Sequence, residues 1–200
     1  MKKATLSRYD IDSQGRFIID VASSRIEELY SNFERTVPYL KKDLDEYFVD
    51  YLIECVREIG SNSFIIRLDL EHLPDDLKKD RVIKSIRNYF IYLIECEKRK
   101  MKDMFRTSAV FFAGGVAIMV ISILMRRAHF NSTNVIVEVL SEGLTVAAWV
   151  ALWESLANLL IKLRPYLRNI RIYNKLAKAQ VLFYKVHQDQ SSDRAQSAVI

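Results

Sequence analysis

Cysteine, histidine, proline and glycine are all scarce in this chain, and each scarcity narrows what it can be. The only cysteines, Cys55 and Cys96, stand in apolar, helix-period sequence with no Cys-x-x-Cys and no nearby His pair. That argues against zinc and against a disulfide framework, and for buried reduced thiols. The histidines, His72, His129 and His187, are scattered along the chain. No Gly-rich phosphate loop, His-x-x-x-His or Ser elbow accompanies them, so no catalytic residue, metal site or cofactor is expected. The N-terminus MKKATLSRYDIDSQGRF lacks the apolar run that a cleavable secretory signal needs after its lysines. A net charge of +5 could mark a nucleic-acid binder, but the cations flank apolar runs instead of forming a face. No nucleic-acid partner is expected.

The second half of the chain carries two long apolar runs. Residues 107–125, TSAVFFAGGVAIMVISILM, contain no charge. At 1.5 Å rise per residue such a run covers the roughly 30 Å hydrocarbon core of a bilayer. Ala109, Ala113 and Ala117 recur at every fourth residue beside Gly114 and Gly115, a spacing that suits close helix packing but is also common in any span. The second run, residues 135–161, holds Glu138, Glu142 and Glu154, with an uncharged centre over 143–153. This places Glu138 and Glu142 at the outer interface and Glu154 within the inner half. A carboxylate that deep costs about 2.5 to 3.5 kcal/mol on insertion scales, so it should face protein or water, or be protonated.

Orientation follows from the flanks. Lys98, Arg99, Lys100, Lys102 and Arg106 precede the first span, and Lys162, Arg164, Arg168 and Arg171 follow the second. The connecting loop, residues 126–134, offers only Arg126, Arg127 and His129, so the positive-inside bias puts both termini in the cytoplasm. Beside the spans, those nine cations suit anionic lipid headgroups. Trp149, Trp153 and Tyr166 read as packing and interface anchors. Asn131-Ser132-Thr133 fits the glycosylation pattern, which carries little weight in a short loop beside a membrane.

The remainder reads as a small cytoplasmic domain. Residues 16–22 and 63–70 are short β-branched and aromatic runs, each a strand. Between them, residues 25–33 suggest a short helix. Leu44, Phe48, Tyr51, Leu52, Cys55, Val56 and Ile59 then trace a helical stripe that ends at Gly60, with Asp43 and Glu46 at its start. A long helix over 79–106 leads into the first span. Pro165 predicts a break, followed by a basic helix over 165–186 with Leu167, Ile170, Tyr173, Leu176 and Leu182 on one side. Residues 1–15 read as a flexible N-terminus and 187–200 as a disordered tail. The expected fold is an α-helical membrane protein: a transmembrane hairpin with an α+β domain over 16–78, arranged β-α-β-α, and a C-terminal cytoplasmic helix. Two strands make too small a sheet to stand alone, which points to packing on their own helices or to pairing between subunits, and so to a homo-oligomer.

This layout resembles a widespread family of functionally uncharacterised bacterial two-span membrane proteins. The resemblance covers roughly residues 40–183. It rests on Asp43-Leu44-Asp45, on residues 65–73 as the second strand, and on residues 86–90 with the basic stretch to Arg106. It is most specific at Glu142-Gly143-Leu144 and Ala148-Trp149-Val150-Ala151-Leu152-Trp153, followed by the basic residues 168–176. It implies a bacterial cytoplasmic-membrane location and no activity. In that family the second Trp is followed by Arg-Pro and then a Glu two residues on. Here Glu154, Ser155 and Ala157 stand at those places, so a role tied to that Arg does not carry over.

Two constellations remain. Glu138 and Glu142 lie one turn apart on one face, continued by Thr145 and Trp149. They read either as an ordinary solvated turn or, in an oligomer, as carboxylate rings that attract cations. Glu154 and Asn158 share another face, and suit a polar helix–helix contact or an ion relay. The expected function is a non-enzymatic, homo-oligomeric structural or interaction protein whose cytoplasmic domain docks protein partners. The alternative is a small oligomeric ion channel lined by the acidic residues of the second span.

Overall fold

The β-branched runs form strands because their side chains suit a pleated, half-buried surface. In the computed structural model, which describes residues 6–30, 44–128 and 135–185, they are β1 (Phe17–Ser23) and β2 (Phe64–Leu70). The two pair in parallel, Ile19 beside Ile66 and Val21 beside Leu68. A parallel pair needs a crossover connection, and α1 (Glu46–Ile59) supplies it. Its N-cap is Asp45, whose carboxylate accepts the Phe48 N–H at 3.1 Å. The start expected at Asp43 lies outside the described residues. Gly60 closes the helix at φ 68°, a conformation that favours glycine. In place of the short helix expected over 25–33 there is a single 3-10 turn, Ile26–Leu29.

Two further expectations are corrected. Residues 6–15, read as flexible, are folded: Tyr9 packs on the core, and Ile11 bridges Phe17 in antiparallel sense. The Asp12 carboxylate accepts the Gln14 and Arg16 N–H groups at 2.9 and 2.8 Å, and so holds the turn through Gly15. The helix predicted over 165–186 stops at Ala177, and Gln180–Lys185 forms a third strand, β3. It lies parallel to β2, Val181 beside Ile66 and Phe183 beside Leu68, so the sheet order is β1-β2-β3. Leu182 fits a helical stripe by spacing alone. The β-forming run Val181-Leu182-Phe183-Tyr184 and the otherwise open edge of β2 favour the strand.

Between β2 and β3 run two long helices, α2 (Asp76–Ala128) and α3 (Val135–Ala177). Pro165 lies inside α3 and does not break it. Pro165 lacks the N–H that would bond the Ile161 carbonyl, and the backbone ladder on either side outweighs that single loss. Each helix is long and apolar enough to cross a membrane, with a mean hydropathy of 2.3 in α2 and 1.8 in α3 over the most apolar window.

The chain divides into two compact units, Met1–Leu93 with Arg171–Ile200, and Ile94–Ile170. The first is an α/β domain and not the expected α+β one, because all three strands run parallel; with β3 in place, the sheet gives no reason for pairing between subunits. Ile19, Ile66, Leu68 and Leu70 are buried on one face of its sheet with Leu52 and Val56 of α1, Val82, Ile86 and Phe90 of α2, and Leu176 of α3. The second is an antiparallel hairpin of the apolar parts of α2 and α3.

Candidate functional site

Within the hairpin the seam is built from small residues seven apart. On α2 these are Ser108, Gly115 and Ser122, and on α3 Ser141, Ala148 and Ser155; all six are buried. Three contacts tie them in antiparallel register. Ser155 Oγ donates to the Ser108 carbonyl at 2.8 Å. Ser122 Oγ donates to the Ser141 carbonyl at 2.7 Å and lies 2.7 Å from Thr145 Oγ1. Between these two, Gly115 lies so close to α3 that a Cβ there would come 3.0 Å from Leu152 Cγ and 3.2 Å from the Ala148 carbonyl oxygen. A seven-residue repeat keeps returning to one seam of a left-handed helix pair, drifting only about 20° per heptad. Close approach of backbones with hydroxyl-to-carbonyl bonds is what holds helices together where neighbouring lipid removes any hydrophobic drive between them.

The large apolar side chains point outward instead. Phe112, Val120 and Leu124 on α2, and Ile136, Val150 and Leu160 on α3, are about half to three-quarters exposed, and only 17% and 11% of the two most apolar windows is buried. Small polar residues inside and large apolar ones outside invert the pattern of a soluble helical pair. Ala109, Ala113 and Ala117 are exposed, so the four-residue alanine stripe is not the hairpin seam. At about 100° per residue a step of four turns 40° around the helix, which carries such a stripe off any one contact line.

The acidic residues all lie off the seam. Glu138, Glu142 and Glu154 are exposed, as are Trp149 and Trp153, at 61% and 70%; Tyr166 and Asn158 are half-buried. Glu138, Glu142, Trp149 and Trp153 share one flank of α3, and Glu154 with Asn158 another. Asn158 Nδ2 donates to Glu154 Oε1 at 3.0 Å, so this exposed carboxylate has a partner on its own helix. The nine flanking cations are all exposed. Lys100 pairs with Glu97 at 3.0 Å and Arg99 approaches Glu95 at 3.9 Å. Lys98, Lys102, Arg106, Lys162, Arg164, Arg168 and Arg171 form no ion pair among the described residues.

In the α/β domain the sheet face opposite the core carries Arg67. Its guanidinium grips Asp20 at 2.5 and 2.8 Å and comes within 3.7 Å of Asp10 and Asp69. Burial pushes the Asp69 carboxyl above the usual aspartate range, and Arg67 opposes that shift. Tyr9 donates its hydroxyl to Glu58 at 2.7 Å; burial first, then its hydrogen bonds with Cys55 and Glu58, raise its pKa. Burial and the neighbouring Cys55 likewise push Tyr51 up to about 12. Cys55 is buried and Cys96 half-buried, both free. No group of three His, Cys, Asp or Glu side chains able to hold a metal occurs among the described residues.

Three cavities open on this domain; that of about 270 Å³ beside Ile83, Ile86, Leu176 and Val181 is largely apolar, and the other two are more polar. One, about 260 Å³, is lined by Arg25, Glu27, His72 and Lys78 among others. The other, about 600 Å³, lies at the starts of β2 and β3 and is lined by Arg16, residues 61–64, Arg171, Lys175 and Lys178 among others. Of its lining residues, sequence reasoning singled out only Arg171. Lys175 and Lys178 continue the same helical spacing, a signal that was legible. Arg16 and the loop 61–64 are brought there by the sheet alone. Comparison of the chain with protein-family models, with curated proteins and with solved structures finds no match.

Proposed function

We propose that this chain is a two-span protein of the bacterial cytoplasmic membrane, with both termini cytoplasmic, that assembles with copies of itself and presents its α/β domain to protein partners without catalysing a reaction. The resemblance to uncharacterised two-span membrane proteins belongs to the same reading. The observation that carries it is the inverted hairpin: a seam of Ser, Gly and Ala, with Phe, Leu, Val and Trp on the outside. Exposed apolar area of this extent suits lipid, or further copies within it, far better than water. Anionic headgroups account for the unpaired cations that flank the cytoplasmic ends of both spans.

The test uses the full chain with Cys55 and Cys96 replaced by serine and single cysteines introduced at Asn131 and at Lys78. A membrane-impermeant thiol reagent added to intact cells should label the cysteine at 131 and spare the one at 78. Release of the protein from membranes by alkaline carbonate, or labelling at both positions, refutes the reading. Cross-linking in native membranes that returns neither a second copy nor another protein removes the interaction role.

The oligomeric ion channel keeps one observation in its favour: Glu138, Glu142 and Glu154 all lie off the seam, where other copies would meet them. Ion flux in liposomes that survives Glu138→Gln, Glu142→Gln and Glu154→Gln together eliminates it.

A further inference from the structure

We propose that the largest cavity of the α/β domain is a binding site for a phosphate-bearing ligand, either an anionic lipid headgroup or a soluble phosphate compound. Arg171, Lys175 and Lys178 stand at the spacing of one helix face and all line this cavity of about 600 Å³. Arg16 closes it from the turn before β1, and Ser61 and Ser63 add hydroxyl donors from the loop before β2. No carboxylate is among its lining residues. Arg16 pairs with Asp12 at 2.7 Å and donates to Gln180 at 2.9 Å. Arg171, Lys175 and Lys178 have no ion-pair partner among the described residues.

Like charges stacked on one helix face repel, so their clustering needs a compensating anion or another cause. The ordinary cause is the negative end of a helix dipole, whose influence is confined to the last turn. It suffices for Lys175, which donates to the Gly60 carbonyl at the end of α1, and for Lys178 just past the end of α3. It does not reach Arg171, nearly two turns before Ala177. A fork of guanidinium donors beside two ammonium groups, with hydroxyls opposite, is the chemistry that takes up phosphate oxygens. The cavity of about 260 Å³ is the weaker candidate, because Glu27 stands among its three basic lining residues.

The experiment uses the full chain in nanodiscs of phosphatidylcholine. One arm titrates pyrophosphate; the other titrates phosphatidylglycerol into the discs and counts bound lipid by native mass spectrometry. Arg171→Gln and Lys178→Gln are compared with Arg81→Gln and Lys84→Gln, exposed cations of the same domain that lie outside the cavity and away from the spans. Saturable binding in either arm that weakens about tenfold in each cavity variant and is unchanged in the controls supports the site, and the arm that responds identifies the source. Saturation in neither arm, or equal loss in cavity and control variants, overturns it. Because the cavity lies wholly within the α/β domain, the pyrophosphate arm is independent of whether the hairpin spans a membrane.

Discussion

Gly114 and Gly115 are adjacent on α2 and differ in one respect that the structure makes measurable. A Cβ at Gly114 meets nothing within 4 Å, whereas at Gly115 it comes 3.0 and 3.1 Å from Leu152 carbons and 3.2 Å from the Ala148 carbonyl oxygen. The Leu152 side chain can give way; the Ala148 backbone cannot without separating the helices. Replacing either glycine by alanine brings the same gain in helix propensity, up to about 1 kcal/mol in water. The difference between Gly114→Ala and Gly115→Ala therefore isolates the packing term. Overpacking of a tight interface costs about 1 to 3 kcal/mol, a factor of roughly 5 to 150 in the folded-to-unfolded ratio. Gly115→Val should cost more, since it adds two methyls at the same contact. The assay is unfolding of the full chain in mixed dodecylmaltoside–SDS micelles, followed by the fluorescence of Trp149 and Trp153. Gly114→Ala should match or exceed the parent, and Gly115→Ala should fall below Gly114→Ala by at least about 1 kcal/mol. Alanine variants that agree to within about 0.5 kcal/mol would refute the Gly115–Ala148 contact and the seam built on it.

Other perturbations probe the α/β domain. Asp45→Ala removes the cap that accepts the Phe48 N–H and should destabilise the domain by about 1 kcal/mol, with Asp45→Asn restoring most of it, as read from urea midpoints. Phe90 is fully buried with its ring centroid 6.3 Å from that of Tyr173, and Phe90→Ala should cost about 3 to 5 kcal/mol, enough to abolish the near-UV dichroism of the domain on mild warming. The Asp12 carboxyl is held below its usual range chiefly by the Arg16 N–H, and that of Glu28 chiefly by the Ser23 hydroxyl. A depressed folded pKa gives stability that is present above the unfolded value and lost as pH falls through the folded one, so acid should loosen these turns below about pH 4. Asp12→Asn should flatten that acid limb in a chemical-shift titration; an unchanged profile contradicts the assignment.

The sequence reading located the two long apolar helices, both early strands and the helix between them, because each depends on local composition or on a period within a single segment. What local sequence could not supply shares a cause. Ala109, Ala113 and Ala117 suit helix packing by composition, but composition does not say against what; within the hairpin the seam is Ser108, Gly115 and Ser122, since a seven-residue step stays close to one contact line of a long helix pair. Pro165 looks like a terminator by itself, but the backbone on both sides carries α3 through it. Leu182 satisfies a helical period, while the strand it joins is dictated by an edge of β2 more than 100 residues earlier in the chain. For the candidate sites the contrast is similar. The exposed acids and the flanking cations could be named from spacing alone, whereas their position off the seam could not.

Hydropathy is additive along the chain, so the amino-acid sequence by itself determined that two helices are apolar and long enough to cross a bilayer, and which cations flank them. Register between distant segments is not additive. Only the tertiary structure decided which small residues meet across the hairpin, that the C-terminal segment completes a parallel sheet with β2, and that Arg16, the 61–64 loop and Arg171 come together around one cavity. Each of these joins parts of the chain whose local sequences carry no trace of one another.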